Sequence, residues 1–129
     1  MLLFDASSGL SSDSLHVQAL ELALRRSGFR VLLLSVALAQ ERLTRAMRAL
    51  DPTILVLCGS SATLDSVGRL VYSVRQSGSQ APLHEYRGSV PVTGGHKVPS
   101  LGNSPTDAVR HVRSIVDAPA QRHLRTAFS

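Results

Sequence analysis

The chain has 129 residues, 43% of them hydrophobic, which is enough for one compact domain with a buried core. Its net charge of +5 comes almost wholly from arginine, with Lys97 the only lysine; tryptophan is absent and tyrosine occurs twice, a poor stock for a single-strand stacking platform. One cysteine, Cys58, excludes an intrachain disulfide and a cysteine-based metal site, and no apolar run or leading signal-type segment calls for a membrane, so the expectation is a soluble, cytoplasmic chain.

Residues 2–4 are a short apolar strand, followed by a polar loop over residues 5–14 that is rich in serine. A helix is expected over residues 14–27, capped by Ser12 or Asp13, with Leu15, Ala19, Leu22 and Ala23 on one inward face and Gly28 at its end. Residues 29–35 (FRVLLLS) read as a strand covered on both faces, as in a parallel sheet. Residues 38–50 alternate at helical spacing, with Leu43, Ala46, Met47 and Leu50 inward and Arg42, Arg45 and Arg48 outward. Asp51-Pro52 stops that helix, and residues 53–58 (TILVLC) form another buried strand.

Residues 59–63 (GSSAT) make a second hydroxyl-rich loop. Residues 64–77 are a helix with Leu64, Val67, Val71 and Val74 inward. Residues 80–88 are expected to be irregular and on the surface, carrying His84. Residues 90–93 (VPVT) are the expected fourth strand, and Gly94-Gly95 opens a third loop; residues 98–101 offer a stub of a fifth strand. Ser104, Pro105 and Asp107 start a last helix over residues 105–116. Residues 117–129 read as a tail.

This β–α alternation predicts an α/β domain over residues 1–116: a flavodoxin-like, doubly wound parallel sheet of four to five strands, order 2-1-3-4-5, with helices on both faces. Leu15, Leu22, Leu33, Val56 and Val92 are its expected core residues. The arginines at 25, 26, 30, 42, 45, 48, 69 and 75 fall on several polar helix faces, which favours solvated surface over a nucleic-acid track.

In such a sheet the loops at the carboxyl ends of the strands form the ligand-binding rim. Here they supply serines, threonines, glycines and histidine, with Asp5 and Asp13 the only carboxylates. There is no nucleophile–base–orienter set, no G-x-S-x-G elbow and no Gly-rich phosphate or dinucleotide loop, so binding is favoured over catalysis. His16 stands in the expected first turn of a helix, where the macrodipole disfavours positive charge; a neutral imidazole there suits metal coordination, or else simply caps or packs at the helix start. The hydroxyls of Ser60, Ser61 and Thr63 face a similar choice between ligand and helix cap.

The succession of Ser14-Leu15-His16, R-S-G-F-R-V-L-L-L, D-P-T-I-L-V-L, V-P-V-T-G-G and S-P-T-D-A-V-R-H-V resembles the cobalamin-binding domain of MerR-type, light- or cobalamin-responsive transcription regulators, over most of residues 2–116. In that family a D-x-H-x-x-G pattern supplies the histidine that ligates cobalt from below. The resemblance assigns His16 as the metal ligand, with Ser14, Val17, Ser60, Ser61, Thr63, Gly94 and Gly95 as cofactor-binding positions. Ser14 stands for the family aspartate, Ala19 for its glycine, and Cys58-Gly59-Ser60 for its S-x-L.

The implied function is a non-catalytic cobalamin-binding-like sensory domain, contacting DNA only through a separate module outside this chain, with homo-oligomerisation open. The alternatives are a cobalamin carrier module of a methyltransferase or mutase, and a degenerate domain used for dimerisation or for another small ligand.

Overall fold

The computed structural model describes residues 1–7, 11–60, 62–89 and 98–128. Its elements are β1 (Leu2–Asp5), α1 (Ser11–Arg26), β2 (Leu32–Ser35), α2 (Gln40–Leu50), β3 (Leu55–Cys58), α3 (Leu64–Gln76), β4 (Leu83–Glu85) and α4 (Pro105–Phe128). The four strands are all parallel in the order β2-β1-β3-β4, the flavodoxin-like arrangement. Leu3 is in register with Leu33 and Val56, and Val56 with His84. Among the described residues no helix is long and apolar enough to cross a membrane.

Side chains alternate across a strand, so the central strands feed two cores. Leu3, Val56 and Cys58 meet Val17, Leu20 and Leu24 of α1 and Ala108 and Val112 of α4. On the other face Leu2, Phe4, Leu55 and Leu57 meet Leu43 and Met47 of α2 and Leu70 of α3. α1 stops where expected: the Phe29 amide reaches back to the Leu24 carbonyl, and Gly28 takes the left-handed φ of 93° that this wrap requires. Ser104 caps α4 by accepting from the Asp107 amide at 3.2 Å.

Several expectations need correction. α1 turns Val17, Leu20 and Leu24 to the sheet, and leaves Leu15 61% and Leu22 50% exposed. The sequence holds two apolar stripes, and Leu22 lies about 200° around the helix from Leu24, so only one can face the core. Among the described residues β2 is an edge strand, paired with β1 alone, and its Leu32 is exposed rather than covered on both faces. Leu50 and Leu64 likewise point outward, while Ser73 is buried on α3 with its hydroxyl donated to the Arg69 carbonyl. Val56 is buried and Leu33 partly so; Val92 lies outside the described residues.

The largest difference is at the fourth strand. β4 lies at Leu83–Glu85, inside the stretch expected to be irregular, and residues 90–93 lie outside the described ones. His84 is consequently buried, and desolvation pushes its imidazole pKa down. A three-residue strand with two polar side chains carries almost no pattern; it exists because β3 offers it an edge. The fifth-strand stub is present as a parallel bridge from Glu85 to Ser100, with the Glu85 amide donating to the Pro99 carbonyl at 2.9 Å and the Leu101 amide to the Glu85 carbonyl at 2.8 Å. α4 continues past residue 116 through Phe128.

The choice of α1 face has a direct thermodynamic consequence. Leu24→Ala is expected to cost about 2–5 kcal/mol of unfolding free energy in urea titration. Leu22→Ala should stay within about 0.5 kcal/mol of the parent, as exposed substitutions do. Equal costs at the two positions would contradict the helix orientation.

Candidate functional site

The rim is built outward from the β1–β3 pair. The Ala6 amide donates to the Cys58 carbonyl at 2.7 Å, carrying the pairing one residue beyond β1. The Ser7 amide then donates to Asp5 Oδ1 at 2.8 Å, which turns the first loop. Beyond β3, Gly59 lies directly on the Ala6–Ser7 backbone with a φ of 98°, and a Cβ there would collide with the Ala6 carbonyl group and the Ser7 nitrogen. Only glycine satisfies both conditions.

One residue further on, the second loop is tied to α1. Asp13 Oδ2 accepts from the Ser60 amide at 3.1 Å and from the Ser60 hydroxyl at 3.0 Å. Asp13 stands in the first turn of α1, where the helix dipole favours its negative charge. After β4, buried Tyr86 donates its amide to the Leu57 carbonyl at 3.0 Å. Arg87 follows with a left-handed φ of 58°; its amide donates to the Gly102 carbonyl and its Nη1 to the Asn103 carbonyl, both at 3.0 Å. These segments enclose a cleft of about 140 Å³ lined by Asp13, His16, Val17, Gly59, Ser60, Tyr86 and Arg87.

No protein-family model matches this chain, and no curated protein matches its sequence.

Of the residues singled out from sequence, His16, Val17 and Ser60 come together in this cleft. His16 is exposed, on the second turn of a helix that starts at Ser11, earlier than the expected start. Ser14 and Thr63 do not line the cleft. The Ser14 hydroxyl accepts from Gln18 at 3.4 Å. Thr63 is the N-cap of α3, accepting from the Ser66 amide while the Ser66 hydroxyl receives the Thr63 amide, so the capping reading holds for it. Ser61, Gly94 and Gly95 lie outside the described residues.

Gly59, Tyr86 and Arg87 are the residues that sequence reasoning missed. The last two fall in the stretch expected to be irregular, since V-P-V-T has the stronger strand pattern; the local signal is the Arg87-Gly88 pair just after a short apolar–polar alternation.

The cleft therefore presents an imidazole, a carboxylate held by Ser60 and a guanidinium. That set suits a ligand bearing an anionic group or a metal with one open position. Among the described residues no three of His, Cys, Asp and Glu gather as a metal set. Cys58 is not part of the chemistry. It is buried against the Phe4 carbonyl at 3.4 Å, and burial, reinforced by the charges of Asp5, Asp13 and Glu21, pushes its thiol up to about 12.

Gly59→Ala is expected to destabilise the fold by about 1–3 kcal/mol or more, since it combines a strained φ with a backbone collision. Gly68→Ala, in α3 with open space around it, should instead gain roughly 0.5–1 kcal/mol. Urea denaturation of the pair checks this, and an unchanged midpoint for Gly59→Ala would contradict the close approach of the two loops.

Proposed function

We propose that this chain is a non-catalytic, cobalamin-binding-like sensory domain of a transcription regulator, whose DNA contacts belong to a separate module. One observation carries the reading. The histidine at the family's ligand position is exposed and lines the cleft at the carboxyl ends of β1 and β3, beside Ser60 of the loop after β3. A parallel α/β sheet places its ligands at that edge.

The donor chemistry fits the cofactor in part. Cobalamin would supply a cobalt centre, and the exposed imidazole of His16 is the residue here that would hold it. Val17 and Ser60 would line the same site. The cleft of about 140 Å³ is smaller than the roughly 300 Å³ at the low end of small-molecule sites, so a bound cofactor would extend beyond it over the rim or part Ser60 from Asp13. Two hydrogen bonds to one carboxylate at an exposed position hold that clasp, and releasing them costs on the order of 3 kcal/mol. A cofactor making many contacts readily offsets such a cost.

The exposed Leu15 and Leu22 on α1 favour a second reading, in which no cobalamin binds and the domain pairs with a copy of itself. One experiment separates the two. The chain is mixed with hydroxocobalamin, passed through a sizing column and read by absorbance. The proposal predicts that cobalamin co-elutes with the protein, and that His16→Ala alters the spectrum of the bound form and weakens retention. Protein eluting without colour overturns it, and a colourless dimer supports the second reading. Retention with an unaltered spectrum in His16→Ala removes His16 from the metal.

A further inference from the structure

On the sheet face opposite α1 and α4, helices α2 and α3 frame a groove of about 440 Å³ that shares no residue with the rim cleft. This volume falls in the range of roughly 300–1,000 Å³ typical of small-molecule sites. Arg45 and Arg48 of α2 line it from one side, Tyr72 and Gln76 of α3 from the other, and Gln40 and Thr44 complete it. The spacings of three on α2 and four on α3 set each pair on one side of its helix.

One hydrogen bond joins the two walls and a second orders the α3 side. Arg48 Nη2 donates to the Gln76 carbonyl at 3.1 Å, and Gln76 Nε2 donates to the Tyr72 hydroxyl at 2.7 Å. Tyr72 keeps 53% of its surface exposed, although it is a large aromatic residue. The salt bridges among the described residues are Arg25–Glu21 and Arg110–Asp107, so neither groove arginine is ion-paired with a described carboxylate. Even Glu41, one turn before Arg45 and also lining the groove, makes no ion pair with it. From the sequence these arginines read as scattered solvated charges; the fold sets two of them beside an aromatic ring and two side-chain amides.

We propose that this groove binds a mononucleotide. The Arg45 and Arg48 guanidinium groups take the phosphate. The exposed side chain of Tyr72 stacks the base, and the Gln40 amide offers both a donor and an acceptor to the base edge. Glu41 repels phosphate from the Gln40 end and so orients the ligand with its phosphate toward Arg48. Tyr72 is the only aromatic residue in α2 and α3, so one base can stack; a strand-binding surface needs a succession of such rings.

The test is calorimetric titration of the whole chain with AMP, adenosine and inorganic phosphate separately. AMP should bind at least about tenfold more tightly than either half-molecule, since two contacts are joined in one ligand. It should also quench tyrosine emission, because the chain has no tryptophan and its other tyrosine, Tyr86, is buried. Arg45→Ala and Arg45→Gln should each weaken AMP about tenfold, and Tyr72→Ala by a similar factor, with unfolding midpoints unchanged. No heat and no quenching with AMP overturns the proposal, as does phosphate binding as tightly as AMP, which would mean an anion patch only. Tighter binding per nucleotide by oligoadenylate than by AMP would assign a strand surface and overturn it as well.

Discussion

The contact on which the rim depends is the seating of Gly59 on the Ala6–Ser7 backbone. β1 and β3 are the central strands, and each is covered by helices on both faces, so their apolar side chains supply the two cores. Burial at about 25 cal/mol per Å² makes that pair the part of the sheet least free to shift. The Ala6–Cys58 hydrogen bond and the glycine then carry the pairing beyond the strands, where the chain would otherwise splay into two independent loops. The close backbone approach fixes where the second loop starts, and hence where Ser60 meets α1.

The Asp13–Ser60 clasp follows from that placement. Asp13 Oδ2 accepts from both the amide and the hydroxyl of Ser60, so the first turn of α1 holds the loop after β3. Ser14 is occupied by Gln18, one helical turn on. His16 therefore projects from an already formed helix without a hydrogen bond to a described residue orienting it. In the proposed function the ligand itself would have to orient the ring, which makes the spectrum of the bound form more informative than affinity alone.

Much of the architecture was legible because long elements announce themselves. The spacing in L-T-R-A-M-R-A-L, the apolar run before Cys58 and the Ser104-Pro105 start of the last helix each have a single physical solution. The misreadings share a cause of another kind: tertiary context chose between local alternatives. α1 carries two apolar stripes, and the sheet selected Val17, Leu20 and Leu24. β4 has too few residues for a periodicity, and V-P-V-T had the better propensity. The site was half legible for the same reasons. His16 and Ser60 followed from residue type and loop position, whereas Tyr86 and Arg87 could be found only after the fourth strand was placed.

The claim that the loop after β3 is tied to the first turn of α1 is tested most directly by amide hydrogen exchange at Ser60. With Asp13 accepting its N–H, the Ser60 amide should be protected in the parent chain, and Asp13→Ala should speed its exchange by about tenfold while the amides of β3 keep their rates. A Ser60 amide exchanging at the unprotected rate in the parent chain would contradict the account.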